Sequence, residues 1–327
     1  MERSSQNGPS PDPRLLVILG PTATGKSSLA VELAQVLNGE IVNCDAMQTI
    51  KGFDLGTAKP TTEQRSTVPH HLYDIVEPGS WYSAGQYMKD SRRVCQEIAE
   101  RQRLPIVVGG TGLYIRALLQ GVFSGPARSE PMRQRLNRIV HCRGTASLHR
   151  ILARNDPVAA SRIPPADRVR IVRALEVFFL TGRPISSVQK VRRPLPGFQV
   201  LKVGLSLARE QLYDRIDRRV EAMFACGLVE ETRGLLRRFS AEARGFQALG
   251  YRQAVSVVRG DLSVQEAITL TQRDTRRYAK RQLTWFRKER DVKWLDLSGE
   301  HPSATRQALA LIDKRQLCTG TIDGDGF

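Results

Sequence analysis

Leu15-Leu-Val-Ile-Leu19 leads directly into Gly20-Pro-Thr-Ala-Thr-Gly-Lys-Ser27. The second segment fits the pattern G-x-x-x-x-G-K-[ST], whose glycines let backbone N–H groups curl around phosphate oxygens. Lys26 adds a positive charge, and the Ser27 hydroxyl is placed to reach a Mg²⁺ ion. An amphipathic helix predicted from Lys26 to about Leu37 would direct its positive dipole end at the same phosphates. The alternative is an ordinary turn, but the strand before and the helix after favour a site for a phosphorylated compound.

Composition limits the class of protein. The chain has 327 residues, and no apolar run approaches the roughly 18 residues that span a bilayer. Residues 1–13 are polar and rich in proline and serine, so we expect a disordered tail and a cytoplasmic protein. The five cysteines are scattered, which favours free thiols, and His70-His71 has no third metal ligand nearby.

The net charge of +17 is concentrated in two segments. Residues 1–127 are neutral, with 12 basic and 12 acidic side chains. Residues 128–193 carry 15 basic and 4 acidic side chains, and residues 243–293 carry 12 and 5. A solvated surface would spread the excess evenly, so this distribution predicts a polyanionic partner. Nucleic acid is the leading candidate, and an acidic membrane surface is the weaker one.

The first part of the chain alternates strands and helices. Strands are predicted at Leu15–Leu19, Glu40–Asn43 and Pro105–Val108, a helix over about 84–103, and loops up to Pro78. This order predicts an α/β fold: a phosphate-loop (P-loop) core with a parallel sheet and helices on both faces. Ligands bind at the carboxyl ends of parallel strands, which would bring the Gly20–Ser27 loop, Asp45 and the Gly109–Gly112 turn to one rim.

Strand patterns disappear between about residues 124 and 196. Helix starts occur at Asp156-Pro157 and at Asp167, and the clearest helix is predicted over Arg168–Thr181. We therefore predict a helical insertion over 124–196 that divides a core of 14–123 and 197–298. A strand over Val200–Leu205, helices, and a C-terminal tail over 299–327 complete the chain.

A long helix is predicted from Val264 to about Arg290. One of its faces carries basic and polar side chains that could follow a phosphate backbone, and the opposite face carries apolar ones. The first stripe contains Arg273, Arg277, Lys280, Thr284 and Arg287. Tyr278 and Trp285 could stack on bases, although both could equally belong to the core.

Two polar residues at the rim are candidates for catalysis. Asp45 follows a strand end and could act as a general base or a magnesium ligand, or merely cap a turn. Thr111 lies between glycines, where its hydroxyl could bind a substrate. The strand Ile106–Val108 lacks the acidic end residue that holds Mg²⁺ in many nucleotide hydrolases, which argues against an ordinary ATPase.

Blocks spread over about residues 15–297 resemble those of bacterial tRNA dimethylallyltransferases. They occur in the family's order, which makes the resemblance specific. The blocks are Gly20–Ser27, Asp45-Ala-Met-Gln48, Asp54-Leu-Gly-Thr-Ala-Lys-Pro60, His70-His-Leu-Tyr-Asp-Ile-Val-Glu-Pro78, Val108-Gly-Gly-Thr-Gly-Leu-Tyr114, Arg173-Ala-Leu-Glu-Val177, Ala248-Leu-Gly-Tyr-Arg-Gln253 and Lys280-Arg-Gln-Leu-Thr-Trp285.

The resemblance implies transfer of a dimethylallyl group from its diphosphate to N6 of the tRNA adenosine 3′ to the anticodon, with Mg²⁺ assisting the loss of pyrophosphate. It assigns Asp45 as the base and Thr111 as its supporting hydroxyl. The diphosphate would bind Arg219 and the loop residues Gly20, Pro21, Thr22, Ala23, Thr24, Gly25, Lys26 and Ser27, with Ser27 also the metal ligand. The tRNA would meet Asp45, Ala46, Met47, Gln48, Thr111, Arg133, Val169, Arg170, Ile171, Val172, Arg173, Gln247, Ala248, Leu249, Gly250, Tyr251, Arg252, Lys280, Arg281, Gln282, Thr284 and Arg287.

Two other classes of function stay open at this stage. A small-molecule or nucleotide kinase shares the loop and the sheet, but it does not explain the two basic segments. A non-catalytic P-loop protein that binds RNA explains the charge, but it leaves Asp45 and Thr111 without a task. The expected partners are tRNA and dimethylallyl diphosphate, with no membrane, and the chain is expected to be a monomer.

Overall fold

The computed structural model describes residues 14–123, 125–189, 193–298 and 303–317. These residues form two compact units. Unit 1 contains the described residues up to Leu118 and from Pro196 onward, and unit 2 is the segment Leu119–Leu195. The predicted insertion began at residue 124, a few residues later than unit 2. The predicted tail over 1–13 lies outside the described residues.

The centre of unit 1 is a parallel sheet. Its six strands have the order β3-β2-β4-β1-β5-β6 among the described residues. Helices cover both faces, as the sequence predicted for a P-loop fold. The strands are β1 (Arg14–Leu19), β2 (Gly39–Asn43), β3 (His70–His71), β4 (Leu104–Gly109), β5 (Gln199–Ser206) and β6 (Val292–Asp296).

Three of the longer helices begin at capping side chains. Ser83, Asp167 and Ser263 each accept a hydrogen bond from a backbone N–H in the first turn of the helix they precede. In chain order the helices are α1 (Lys26–Val36), α2 (Thr62–Thr67), α3 (Ala84–Glu100), α4 (Gly112–Gln120), α5 (Glu130–Arg143), α6 (Thr145–Asn155), α7 (Pro157–Ala160), α8 (Arg168–Thr181), α9 (Ile185–Val188), α10 (Arg209–Ala225), α11 (Leu228–Leu236), α12 (Tyr251–Val258), α13 (Val264–Phe286) and α14 (Ala304–Leu317).

The apolar core of the sheet is built from alternate strand residues. Leu16 and Ile18 of β1 pack in one cluster with Leu29 and Leu33 of α1. Since side chains alternate along a strand, their neighbours in β1 serve the opposite face. Strands buried on both faces are continuous apolar runs, which is why β1 was recognisable from sequence.

The helix α2 and the strands β3 and β6 were not predicted from the sequence. The predicted loop before Pro78 contains α2, which has a Thr61–Gln64 capping box but buries none of its residues, so no hydrophobic period marks it. β3 has two residues and exists because it pairs with β2. β6 pairs with β5 at the other edge of the sheet. Short edge strands owe their conformation to the neighbouring strand, and the sequence does not encode it locally.

The predicted C-terminal tail over 299–327 is partly helical. α14 buries Ala308 and Ile312 against the cluster that contains α1, so this part of the predicted tail packs on the core of unit 1. Residues 299–302 and 318–327 lie outside the described residues. None of the helices described is long and apolar enough to cross a lipid bilayer.

Unit 2 has its own core, and the only regular elements among its described residues are helices. Leu136, Leu148, Leu152 and Leu175 come from α5, α6 and α8 and are buried together. α8 ends at Gly182, whose φ of +68° suits glycine at a helix C-terminus. The predicted bounds of this helix, Arg168–Thr181, are those observed.

Candidate active site

The phosphate loop connects β1 to α1. Gly20 has a φ of +146°, and a Cβ atom there would lie 2.7 Å from the carbonyl oxygen of Leu205. Thr24 is buried and donates from Oγ1 to the carbonyl of Pro21 at 2.9 Å, which stabilises the curve of the loop. α1 therefore begins at Lys26 with its unpaired N–H groups directed at the loop.

Two cations lie at this loop. Lys26 donates from Nζ to the carbonyl of Pro21 at 2.6 Å, and Arg219 of α10 donates from Nη1 to Oγ1 of Thr22 at 3.4 Å. Burial, followed by repulsion from Arg219, lowers the pKa of Lys26 to about 7, although the nearby Asp45 carboxylate opposes the shift. Burial also lowers the pKa of Arg219. Both positive charges are therefore poorly solvated, a state that a bound anion would relieve.

Asp45 lies at the end of β2, in a tight turn. Its Oδ1 accepts a hydrogen bond from the backbone N–H of Met47 at 2.9 Å, and its own N–H donates to Oδ1 of Asn43 at 2.9 Å. The capping role that the sequence left open is therefore real. It occupies one carboxylate oxygen, and the Asp45 side chain still lines a cavity.

Thr111 is tied to the same turn. Its Oγ1 accepts from the N–H of Ala46 at 3.0 Å, and its own N–H donates to the carbonyl of Cys44 at 3.1 Å. A Cβ on Gly109 would lie 2.2 Å from that carbonyl oxygen, so only glycine allows β4 to approach so closely. The ends of β2 and β4 thus meet where the sequence predicted.

Gln282 joins the two glycine-rich turns. Its Nε2 donates to the carbonyl of Gly110 at 2.9 Å, and its Oε1 accepts from the N–H of Thr22 at 2.9 Å. The side chain is buried, whereas the sequence analysis had predicted a contact with tRNA. The oxygen and the nitrogen of its side-chain amide both form hydrogen bonds within the protein. Gln282 therefore fixes the position of the phosphate loop relative to the Thr111 turn.

The phosphate loop, Asp45 and Gln282 line a cavity of about 410 Å³ in unit 1. Arg219 of α10 and residues of α12 and α13 also contribute to its lining. Burial raises the pKa of Tyr278, which keeps its phenol neutral. Besides the predicted site residues, the lining contains Tyr73, Met223, Thr271, Thr275 and Tyr278. Tyr73 belongs to one of the family blocks and Tyr278 was a candidate for stacking, whereas no sequence signal indicated the other three.

Tyr251, which the sequence predicted to bind tRNA, makes structural contacts within unit 1. It is buried against Phe53, and its hydroxyl donates to the carboxylate of Glu231. The Glu231 carboxylate also accepts from the N–H groups of Asp54 and Leu55, at 3.3 and 3.2 Å. Burial raises the pKa of Glu231. Together Tyr251 and Glu231 hold the loop whose next residues, 56–58, line the cavity.

Predicted tRNA-binding residues of unit 2 divide into buried and exposed groups. Ile171 and Val172 belong to its core, so the structure does not place their side chains at the surface. Arg133 and Arg173 both bind the buried carboxylate of Glu176, each at 2.8 Å. Val169 and Arg170 are exposed at the start of α8.

The predicted tRNA-binding residues of unit 1 divide in the same way. Ala248 and Gly250 are buried, and Ala248 contributes to the cavity lining together with Met47, Gln48 and Leu249. Ala46 is half-buried, with its N–H bound to Thr111. Exposed are Gln247, Arg252, Lys280, Arg281, Thr284 and Arg287. The polar stripe predicted for α13 is therefore solvent-exposed, as expected, and Ala279 and Phe286 are buried on its other side.

Comparison with known proteins gives consistent results. A model of the IPP transferase family matches residues 48–289, and a model named isopentenyl transferase matches residues 13–73. A tRNA dimethylallyltransferase from Koribacter versatilis is 48% identical over 302 residues, which cover 92% of this chain and 98% of the relative. Another, from Geobacter metallireducens, is 48% identical over 292 residues, or 89% of this chain and 94% of the relative.

Solved structures are similar over nearly the whole chain. A full-length tRNA isopentenylpyrophosphate transferase from Bacillus halodurans has a TM-score of 0.67 and 38% identity, covering 94% of this chain and 99% of its own. A eukaryotic dimethylallyltransferase acting on tRNA has a TM-score of 0.79 and 25% identity, covering 96% and 81%.

Proposed function

This chain belongs to the IPP transferase family of tRNA dimethylallyltransferases, and we propose that its cavity is where a dimethylallyl group passes from diphosphate to tRNA. The protein is an enzyme that prenylates tRNA. The proposed acceptor is N6 of the adenosine 3′ to the anticodon. The observation that carries the assignment of the cavity is the meeting of the phosphate loop and Asp45 on its walls, with Thr111 hydrogen-bonded to the backbone of the residue after Asp45.

We propose that the phosphate loop, Lys26 and Arg219 bind the diphosphate. Loss of pyrophosphate breaks the bond between C1 of the allyl group and oxygen, and negative charge develops on the departing oxygens. Preorganised donors in a water-poor cavity stabilise such charge far better than donors in water. The N–H groups at the start of α1 and the two poorly solvated cations are suited to this task.

Asp45 is proposed as the general base. As C1 forms a bond to N6, the amine must lose a proton, and a carboxylate within reach can accept it. The hydrogen bond from Met47 to Asp45 Oδ1 fixes the orientation of the carboxylate. Thr111 supports the turn through its acceptor contact with Ala46, and a hydroxyl that accepts one hydrogen bond can still donate its proton to the substrate.

The metal ligands available at the phosphate loop suit a magnesium ion that takes most of its ligands from the diphosphate and from water. The described residues contain no cluster of three or more His, Cys, Asp or Glu side chains that could hold a metal alone. Ser27 offers one hard oxygen ligand at the cavity wall, and Mg²⁺ commonly completes its six ligands with phosphate oxygens and water. Bound there, the ion would supply positive charge to the leaving pyrophosphate. Ser27 is the residue proposed to hold it.

A transfer assay with Asp45→Asn tests the proposed site. We expect unmodified tRNA to gain label from radiolabelled dimethylallyl diphosphate, and the variant to lose about 10²- to 10⁴-fold in kcat, the range typical of a lost general base. Its affinity for tRNA should stay close to wild type. Turnover of ATP without labelling of tRNA would instead support a kinase, and a large loss of tRNA affinity would make Asp45 a structural residue.

A further inference from the structure

Trp81 is a large aromatic side chain at the surface of unit 1. It lies between β3 and α3 and is 61% exposed, although tryptophan is usually well buried. The guanidinium of Arg244 lies over its ring, 5.6 Å from the ring centre. An exposed indole held beside a cation is a surface that can take part in binding.

The backbone next to Trp81 is fixed by contacts below the surface. The carbonyl of Tyr82 accepts from Nη1 of Arg244 at 3.3 Å and from the hydroxyl of Tyr114 at 3.4 Å. Tyr114 in turn stacks on the buried Tyr87, with ring centres 4.1 Å apart. The exposed indole is therefore held on a rigid support, so little conformational entropy would be lost when it binds a partner.

Both segments that contact this loop adjoin, along the chain, residues that line the active-site cavity. Arg244 starts a short 3₁₀ helix over Arg244–Gln247, which leads into the cavity-lining residues Gln247, Ala248 and Leu249. Tyr114 lies in the first turn of α4, which follows the cavity-lining residue Gly110 and then Thr111. Trp81 and the residue after it thus contact two segments that lead to the cavity lining.

We propose that Trp81 and Arg244 form a stacking site for a nucleobase that neighbours the target adenosine in the anticodon loop; this inference rests on the proposed function. Extruding one base into a cavity deprives its neighbours of stacking. An aromatic ring beside a guanidinium plane is the surface on which unstacked RNA bases bind. The excess of basic side chains in residues 243–293 complements the negative backbone that would accompany the base.

Binding of an anticodon stem–loop RNA to variants tests the stacking site. Trp81→Ala should weaken binding roughly tenfold, within the range for one stacked base, and Trp81→Phe should recover most of that loss. The slope of affinity against salt should not change, because no charge is removed. The KM for dimethylallyl diphosphate should stay at its wild-type value. Trp294→Ala, a half-exposed tryptophan on the edge strand β6, is the matched control and should bind RNA normally.

A second test uses two abasic RNAs, one without the base 5′ to the adenosine and one without the base 3′ to it. Binding of each RNA is measured with the wild-type protein and with Trp81→Ala. Removal of the stacked base should cost wild type about as much as Trp81→Ala costs, and it should cost that variant little more. Two results would overturn the stacking site. One is that the wild-type protein binds both abasic RNAs as tightly as the intact RNA. The other is that removal of a base weakens binding equally in the wild-type protein and in Trp81→Ala. Labelling of tRNA by wild type in the same assay keeps this outcome separate from a failure of the proposed function.

Discussion

The cations at the phosphate loop and the arginines around Glu176 are held in opposite ways. Lys26 and Arg219 lie against backbone and hydroxyl oxygens, and neither forms an ion pair within the described residues. Arg133 and Arg173 share a buried carboxylate. The sequence predicted that all four bind an anionic substrate, Lys26 and Arg219 the diphosphate and the other two tRNA. The difference teaches that a cation without a protein counter-ion indicates a ligand site, whereas a paired one stabilises the fold.

The pKa values follow the same division. Burial and Arg219 lower the pKa of Lys26 to about 7, which disfavours its charge until an anion arrives. Burial alone would raise the pKa of Glu176, but hydrogen bonds from Arg133 and Arg173 outweigh it and hold the value at about 2. In unit 2, Arg133 and Arg173 are thus held in a satisfied network with Glu176, while Lys26 and Arg219 of unit 1 remain available to a substrate.

The largest expected effect comes from removing a cation at the phosphate loop. Lys26→Ala should lower kcat/KM about 10³-fold, as expected for a donor that stabilises charge in the transition state. The free energy of unfolding should stay the same or rise, because a poorly solvated ammonium is removed. Single-turnover transfer assays and urea unfolding measure the two quantities. Lys89→Ala, an exposed lysine on α3, is the control; equal losses in both variants would contradict a role for Lys26.

Glu176→Gln should disrupt the ion-pair network of unit 2. Two arginines would lose their buried counter-ion, so we expect a loss of about 3 kcal/mol in the free energy of unfolding. Inorganic pyrophosphate should bind as in wild type, since the cavity belongs to unit 1. Urea unfolding of Glu176→Gln and of the exposed Glu130→Gln provides the comparison. Similar stability of the two variants would mean that the network contributes little.

Acid should act on the same network. Because the folded pKa of Glu176 lies below its ordinary value of 4.5, its contribution to stability is complete above pH 4.5. The contribution falls as the pH drops from there to about 2. Wild type should therefore lose more stability than Glu176→Gln over that range. Parallel acid-unfolding curves would contradict the assignment.

The smallest expected effect is the uptake of a proton by Lys26 when pyrophosphate binds at the phosphate loop. At pH 8 a lysine with a pKa of about 7 is mostly neutral, and a bound diphosphate would restore its charge. Binding of pyrophosphate should take up close to one proton more in wild type than in Lys26→Arg, since arginine stays protonated. Calorimetry in buffers of different ionisation enthalpy measures the difference. Equal uptake by the two proteins would show that Lys26 is already charged.

Much of the fold was predictable because its signals are local. The run from Leu15 to Leu19, the loop after it and the start of α1 are adjacent in sequence, and each has a pattern of its own. The bounds of α8 follow from Asp167 and Gly182, one at each end. β3 and β6 have no such signal, because their conformation comes from pairing with β2 and β5.

The roles of individual side chains depended on contacts distant in sequence. Gln282 and Thr22 are 260 positions apart, and only folding brings them together to join the two turns. Tyr251 lies in a block typical of the family, yet it is buried with Glu231 and holds a loop of the cavity. A pattern in sequence identifies which residues belong to a site, but it does not distinguish those that face the substrate from those that support them.

The sequence by itself determined the class of fold, the phosphate-binding loop and the two basic segments, because strand and helix periods, glycine spacing and charge are properties of neighbouring residues. Only the tertiary structure decided which charges are available. Arg133 and Arg173 share the Glu176 carboxylate, while Lys26 and Arg219 lie at the cavity and have no ion-pair partner among the described residues. Pairing of charges depends on distances of a few ångströms between distant parts of the chain, and those distances exist only after folding.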